Sequence, residues 1–143
     1  MRKSLKQIVT DIDAWVANHK TLKSFGFGDL DTLFKSENHT YQKLWLMDIG
    51  GGINGESYQV ELNFRLWVMD IQNSSNELDV LSDCLQVTND FLLEFLEDSD
   101  EDYGWFVMPD SVRLEPFREI MNDTLSGYAM EFTVNCGGLS CPA

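Results

Sequence analysis

Cysteine and long apolar runs are scarce in this chain of 143 residues. Its three cysteines, Cys84, Cys136 and Cys141, are an odd number and too sparse for a disulfide framework, so we expect reduced thiols in a cytoplasmic compartment. No apolar run of about 18 residues is present, and the N-terminal stretch turns polar too early for a signal peptide. The sequence therefore predicts a soluble, intracellular protein without a membrane span.

Basic residues are also scarce. The chain has 10 Lys and Arg against 24 Asp and Glu, for a formal net charge of −14, so it lacks the electropositive surface that binders of duplex DNA or anionic membranes need. The charge is uneven: residues 1–43 carry seven basic and five acidic groups, whereas residues 44–143 carry three basic and nineteen acidic groups. Two interpretations stay open, a solubilising surface and a polarised subunit whose unlike parts meet a partner.

Motifs that would carry catalysis or bind a cofactor are absent from the sequence. His19 and His39 have no Cys or carboxylate at metal-ligand spacing, and the glycines at 50–52 are not followed by the Lys-Ser/Thr pair of a phosphate loop. No Ser, Cys or Lys stands in a nucleophile motif. We therefore expect no enzyme activity, no catalytic residue, no metal and no cofactor. A concave polar pocket around His39 or the acidic loop would favour a small enzyme instead.

An acidic loop is predicted at residues 97–102. Its alternating carboxylates are similar to those of a calcium loop, but the turn glycine is displaced to Gly104 and the twelfth position is Pro109 rather than a bidentate Glu. We interpret the segment as a solvated acidic loop and leave cation binding open. Because the loop follows a helix C-terminus, where the dipole is negative, a basic partner surface would compensate its charge.

Hydrophobic periodicity predicts two helices and a long hairpin. The i, i+3, i+4 spacing of apolar residues indicates helices over 3–19 and 74–97, and the second begins at a Ser-Ser-Asn-Glu capping box. Alternating apolar and polar residues indicate strands over 43–49 and 58–71, joined by a mobile Gly-rich turn at 50–55.

The remaining segments complete the predicted fold. Residues 20–42 are interpreted as an arm or loop with a short strand near 24–29, and residues 103–136 as further strands. We therefore expect one α+β domain over 1–143, with two helices packed on one face of an antiparallel or mixed sheet and a long protruding β-hairpin.

Two segments carry more apolar surface than one sheet face requires. Trp67, Met69 and Ile71 replace the polar face of the second hairpin strand at its end, which indicates a second packing partner there. The 74–97 helix has a main stripe of leucines and a second apolar stripe alongside it: Val80, Cys84, Val87 and Phe91. We expect both sets to lie outside the core of a single chain and to contact another surface.

The order of these segments resembles a known protein family. The resemblance depends on four segments, followed by a strand leading to Cys136: SFGFGD at 24–29, LWVMD at 66–70, NELDVLSD at 76–83 and SGY at 126–128. The chain resembles small virion proteins of tailed bacteriophages that are encoded among the neck and tail genes, with a fold similar to the tail-terminator and tail-completion proteins. The resemblance implies a sheet with two helices on one side, and it names no active-site residues.

The resemblance also implies a structural role in the virion, after assembly in the host cytoplasm. Copies of the chain would form a ring in the neck or tail and join neighbouring neck, tail or portal-complex proteins, while DNA passes nearby without specific binding. The side chains expected at interfaces are aromatic, aliphatic and acidic: Phe25, Phe27, Asp29, Trp67, Met69, Ile71, Val80, Val87, Phe91, Asp98, Asp100 and Asp102.

A second function class stays open. The chain would then be a non-viral acidic protein-binding module, similar to an immunity or adaptor protein, whose segment 94–102 docks a basic partner. A soluble heterodimer would distinguish this class from a ring of identical copies.

Overall fold

The computed structural model describes residues 4–35, 40–56, 58–71, 75–96, 103–120 and 125–138. The helices in these ranges are α1 (Leu5–Asn18), α2 (Leu30–Lys35) and α3 (Glu77–Phe95), with a 3₁₀ turn at Pro109–Ser111. The strands are β1 (Ser24–Phe27), β2 (Lys43–Ile53), β3 (Gln59–Ile71), β4 (Phe106–Val107), β5 (Arg113–Ile120) and β6 (Leu125–Gly138).

These strands form one mixed sheet in the order β1-β2-β3-β6, with β4 and β5 both paired to the other side of β6. The β1–β2 pair is parallel, and every other pair is antiparallel. The predicted α+β fold with a sheet and packed helices is therefore confirmed. The sheet is mixed because the chain leaves β1, passes through α2 and comes back as β2, which runs parallel to β1.

The first helix forms because its sequence supplies both an apolar stripe and a cap. Ile8, Ile12 and Val16 are buried on one face, at the spacing that an amphipathic helix needs. The Ser4 hydroxyl accepts a hydrogen bond from the Gln7 backbone N–H, and the Gln7 side chain accepts one from the Ser4 N–H in return. The helix therefore begins at Leu5, two residues later than the predicted start.

The long helix is shorter than predicted. It spans Glu77–Phe95 rather than 74–97, and its N-cap is Asn76, whose side chain makes no capping hydrogen bond. Ser74, the first residue of the predicted capping box, lies outside the described residues. At the other end the backbone becomes extended at Leu96, which forms an isolated parallel β-bridge with Val107.

The main hydrophobic core lies between one face of the sheet and the helices α1 and α3. Phe64, Leu66 and Val68 of β3 point into it together with alternate residues of β2 and β6, as the predicted alternation requires. A chain of aromatic side chains joins the two helices to the sheet: Trp15, Phe91, Phe95, Trp105 and Phe132. Each buried side chain of this size stabilises the fold by about 1.5–3 kcal/mol.

A second, smaller cluster covers part of the opposite sheet face. Leu33 of α2 packs there against aromatic and aliphatic residues of the central strands, which are Trp45, Trp67, Met69, Leu125 and Ala129. Residues 20–42 are therefore not a simple arm, since they contain both β1 and α2. Only the short strand expected near 24–29 is confirmed, over Ser24–Phe27.

The hairpin is longer than predicted. β2 continues through the glycines at 50–52 to Ile53, after a register shift between Asp48 and Gly50, so the predicted mobile turn at 50–55 is wrong for most of its length. Gly51 explains the difference, because a Cβ there would lie 2.6 Å from the backbone carbonyl of Glu61. At this position glycine allows β3 to approach closely and the ladder to continue.

Gly127 of β6 pairs with Met69 of β3, and a Cβ at this position would lie 1.8 Å from the backbone carbonyl oxygen of Val68. We expect Gly127→Ala to lower the free energy of unfolding by about 3 kcal/mol or more, because the two central strands would have to separate. Gly52→Ala is the matched control, since nothing lies within 4 Å of a Cβ there, and we expect it to change stability by less than about 1 kcal/mol. Urea unfolding of both variants measures the difference, and equal effects would contradict the close approach.

Candidate interaction surfaces

Trp67 and Met69 were predicted to lie outside the core of a single chain, and the structure corrects this. Their side chains are 9% and 0% exposed and belong to the second cluster. The Phe117 ring meets the Trp67 ring edge-on, with centroids 5.2 Å apart. The second packing partner that the sequence indicated therefore exists, but α2 and β5 of the same chain supply it. Ile71, the third residue of that set, is 56% exposed.

The second stripe of α3 is buried, contrary to the prediction, and most of the main stripe is buried or half-buried with it. Val80, Cys84, Val87 and Phe91, the stripe expected to meet a second surface, are 0–5% exposed in the main core. The exposed apolar side chains of the helix are instead Leu78 and Leu93, at 79% and 78%. The wide apolar arc is therefore used mainly within the chain, against the sheet and α1.

The predicted β1 residues have structural roles in the described chain. Phe25 and Phe27 are half-buried and pack against the main core from the edge of the sheet. Asp29 caps the short helix α2, because its carboxylate accepts hydrogen bonds at 2.8 Å from both the backbone N–H and the hydroxyl of Thr32. The other acidic interface residues, Asp98, Asp100 and Asp102, lie outside the described residues, as does His39.

The far end of the hairpin carries the most exposed group of apolar side chains on the sheet. Ile49, Ile53 and Tyr58 are 47%, 57% and 65% exposed. Three acidic residues accompany them, Asp48, Glu56 and Glu61, and the sequence from 44 to 64 contains no basic residue. The hairpin tip, by which we mean residues 48–56 and 58–61, is therefore both apolar and acidic.

Arg65 lies at the centre of a cluster of charged side chains on the sheet face opposite α1 and α3. Its guanidinium bonds Glu115 at 2.5 Å and approaches Glu131 at 3.5 Å. The same group lies 4.8 Å from the centre of the Trp67 ring, a cation–π arrangement. Strand register places Arg113 directly beside Glu131 in the next strand, yet Arg113 has no ion pair among the described residues. The two arginines and the two glutamates of this cluster together carry no net charge.

A cleft of about 710 Å³ lies between the end of α1 and α3, with apolar side chains such as Trp15 and Val87 and polar side chains such as His19, Asp83 and Asp90 among its lining residues. Both ring nitrogens of His19 are engaged. Nε2 bonds Asp90 at 2.9 Å, while Nδ1 accepts backbone N–H groups of the loop that follows α1, at 3.1 and 3.3 Å. His19 therefore fastens the end of α1 to α3, and its imidazole leaves no ring nitrogen for a ligand.

Cys84 lies in the main core near this cleft. Burial raises the pKa of its thiol to about 12, against a weaker lowering by a hydrogen bond from Gln42. A thiol with that pKa stays protonated at neutral pH and is a poor nucleophile. Among the residues that the structure describes, no group of three or more His, Cys, Asp or Glu side chains is arranged to hold a metal ion.

No protein-family model matches the sequence, and the search of curated proteins finds no match. Within the described residues, none of the helices combines the length and apolar character that crossing a membrane requires. The function therefore has to be inferred from the fold and from the surfaces described above.

The raised pKa of Cys84 predicts a pH dependence of stability. The unfolded thiol ionises near its ordinary pKa of 9.0, whereas the folded thiol keeps its proton up to about 12. The unfolded state then binds fewer protons between these values, so stability falls as pH rises through that window, by at most about 1.4 kcal/mol per pH unit from this group.

We expect Cys84→Ala to make the decline of unfolding free energy between pH 9 and pH 12 shallower than in the unmodified chain. Urea titrations at half-unit steps of pH measure both slopes, which separates this effect from the smaller side chain's constant loss of packing. Identical slopes in the two proteins would contradict the burial of this thiol.

Proposed function

We propose that the chain is a structural virion protein of a tailed bacteriophage that forms an oligomeric ring in the neck or tail. The ring is of the tail-terminator or tail-completion type, surrounds the DNA channel and joins adjacent virion components. The observation that carries this proposal is the exposure of apolar side chains on three unlike surfaces of one chain, namely the hairpin tip, the outer face of α3 and Leu114 on β5.

Unlike surfaces are what a ring subunit needs. In a ring each copy presents one face to the copy before it and a different face to the copy after it, so self-complementary patches are not sufficient. A subunit that also joins other virion proteins needs a third surface along the ring axis. The described chain offers exposed apolar groups at three such places.

The fold supports the same proposal. The resemblance implied a sheet with two helices on one side, and in the structure α1 and α3 pack on one face of a mixed sheet. The expected hairpin is present as β2 and β3, which pair from Lys43–Met69 out to Ile53–Val60. A shared fold does not establish a function by itself, so the proposal depends mainly on the exposed apolar surfaces.

The charge of the chain is compatible with a DNA conduit. With a net charge of −14, copies arranged around a channel would repel phosphates, which lets DNA slide and gives no grip. The same charge makes neighbouring copies repel each other at long range. Apolar contacts and local pairing must overcome that repulsion, and salt screens it.

One observation favours the alternative of an acidic binding module. The outer face of α3 carries exposed Asp79 and Asp83 beside Leu78, and no basic residue occurs between Arg65 and Arg113. Such a face suits a basic partner. The alternative predicts a one-to-one heterodimer whose affinity falls with salt, because the attraction between unlike charges is screened.

Assembly of the purified chain distinguishes the two functions. We expect native mass measurement and electron microscopy to show a closed ring. The concentration at half-assembly should fall about threefold or more between 50 and 500 mM salt, because screening reduces repulsion between acidic copies. A chain that stays monomeric at both salt concentrations, even with its neighbouring virion proteins present, would contradict the proposal. Capture of a basic partner in a salt-sensitive heterodimer would favour the alternative.

A further inference from the structure

In the described part of the chain, one strand of the sheet has no helix over it on the face where α1 and α3 pack. α1 packs beside β1, and α3 packs over β3 and β6. β5 is the next strand beyond β6, and its residues from Arg113 to Pro116 are all exposed. Packed helices lie about 8–10 Å apart, which is about the width of two strands, so the space over β5 has room for one more helix.

This space has an apolar floor. Leu114 is the register partner of Met130, whose side chain lies in the main core, so Leu114 is on the same sheet face as α3 and is 41% exposed. Pro116, two residues further along β5, shares this face. Arg118, the next residue on the face, pairs with Glu77 at the start of α3. We call the space over Leu114 and Pro116 the β5 slot.

One flank of α3 carries an uncharged seam with a regular spacing. Five residues repeat at alternate intervals of four and three, which is the heptad spacing of helices that pair side by side: Leu78, Ser82, Leu85, Asn89 and Leu92. Leu78 is 79% exposed, Ser82 and Asn89 are exposed, and the other two leucines are half-buried. We call this set the α3 seam.

The acidic residues of α3 lie away from this seam. Asp83 and Asp90 line the cleft beside α1, and Glu94 lines a smaller hollow together with Asp11 of α1. At about 100° per residue these three carboxylates of α3 lie about 110–150° around the helix from the centre of the seam. The seam therefore faces away from α1, on the side of the β5 slot. In a chain of net charge −14, a second copy can approach here without setting acid against acid.

The polar members of the α3 seam indicate which helix packs against it. Parallel pairing in register sets leucine against leucine and Asn89 against Asn89 of a second copy, where the two amides hydrogen-bond to each other. An antiparallel alignment with seam against seam places Asn89 opposite a leucine instead, which leaves the amide without a partner. The seam is therefore complementary to itself in the parallel arrangement.

Leu93 fits the same arrangement. It is 78% exposed and lies about 180° around α3 from the middle of the buried face, so it points directly away from its own sheet. A two-fold axis along α3 places the sheet of a second copy on that opposite side of the helix layer. Both exposed leucines of α3, Leu78 in the seam and Leu93 beside it, then lose contact with solvent.

We propose that two copies of the chain pair through the α3 seam, with their α3 helices parallel and in register about a two-fold axis, so that α3 of each copy occupies the β5 slot of the other. The contact uses the same surface of both copies. This inference goes beyond the proposed function, because a two-fold contact joins copies, or two rings, in pairs and does not by itself close a ring. Lateral contacts of the ring are left to other surfaces, the hairpin tip among them.

Directed crosslinking tests the pairing. Leu78→Cys is placed in a Cys141→Ser background, so that the remaining native thiols are the buried Cys84 and Cys136. A disulfide requires two Cα atoms within about 7 Å, and only the parallel arrangement in register sets residue 78 of one copy against residue 78 of the other. Leu93→Cys is the matched control, because it is equally exposed on the same helix but its two copies lie on opposite sides of the helix layer. After mild oxidation we expect at least tenfold less covalent dimer in the control.

A charge placed in the seam tests the pairing without a crosslink. Asn89→Asp sets two carboxylates together and should raise the dissociation constant of the pair at least tenfold, as measured by sedimentation equilibrium. Asn18→Asp adds the same charge at an exposed position of α1 and should change the constant less than threefold. Because Asn89 is exposed in the single chain, circular dichroism should show both variants folded.

The possible results distinguish this inference from the proposed function. Covalent dimer with Leu78→Cys but not with Leu93→Cys, together with the weakening by Asn89→Asp, establishes the pairing; if no ring forms, the same result contradicts the proposed function. A ring that forms while the two cysteine variants give equal crosslinking overturns the pairing and leaves the proposed function intact. A chain that stays monomeric, or that binds a foreign helix on the seam in place of a second copy, also overturns the pairing.

Discussion

The pairing of β3 with β6 is the constraint on which the rest of the structure depends. The two strands run antiparallel from Gln59–Gly138 to Ile71–Leu125, with a register shift between Gln59 and Glu61. One face of this ladder carries the Phe64–Phe132 stack under α1 and α3, and the opposite face carries Trp67 and the ion pair of Arg65 with Glu131. β2 joins one side and β4 and β5 join the other, so a change in register would displace both cores together.

Local sequence patterns were sufficient for the elements whose partners are close in the chain. The alternation of residues 58–71 predicted the core face of β3, and the apolar spacing around Ile8 and Ile12 predicted α1, because period and burial coincide there. The identity of the second packing partner of Trp67 was not predictable, since Leu33 and Phe117 reach it from distant parts of the chain. The stripe Val80, Cys84, Val87 and Phe91 of α3 was wrongly assigned to a second surface for the same reason. Its burial depends on how the helix packs on the sheet, which the spacing of apolar residues does not define.

The few basic residues determine the local charge of the surfaces. Arg65 forms ion pairs with two glutamates on its own sheet face, and Arg118 pairs with Glu77 at the start of α3. Arg113 lies in the same row as Arg65 and Glu131, so the four side chains Arg65, Arg113, Glu115 and Glu131 together carry no net charge. For the hairpin tip the glycines predicted a turn, and the exposure of Ile53 and Tyr58 there was not predictable from the sequence alone. The absence of basic residues from 44 to 64 is the sequence signal that marks this segment.

An image of the assembled protein at a resolution that traces strands tests the central claim most directly. The account predicts a closed ring of identical copies whose contacts cover exposed apolar side chains of the single chain, such as Tyr58 of the hairpin tip and Leu93 of α3. A protein that forms no ring, or a ring in which these side chains all remain exposed to solvent, would contradict it.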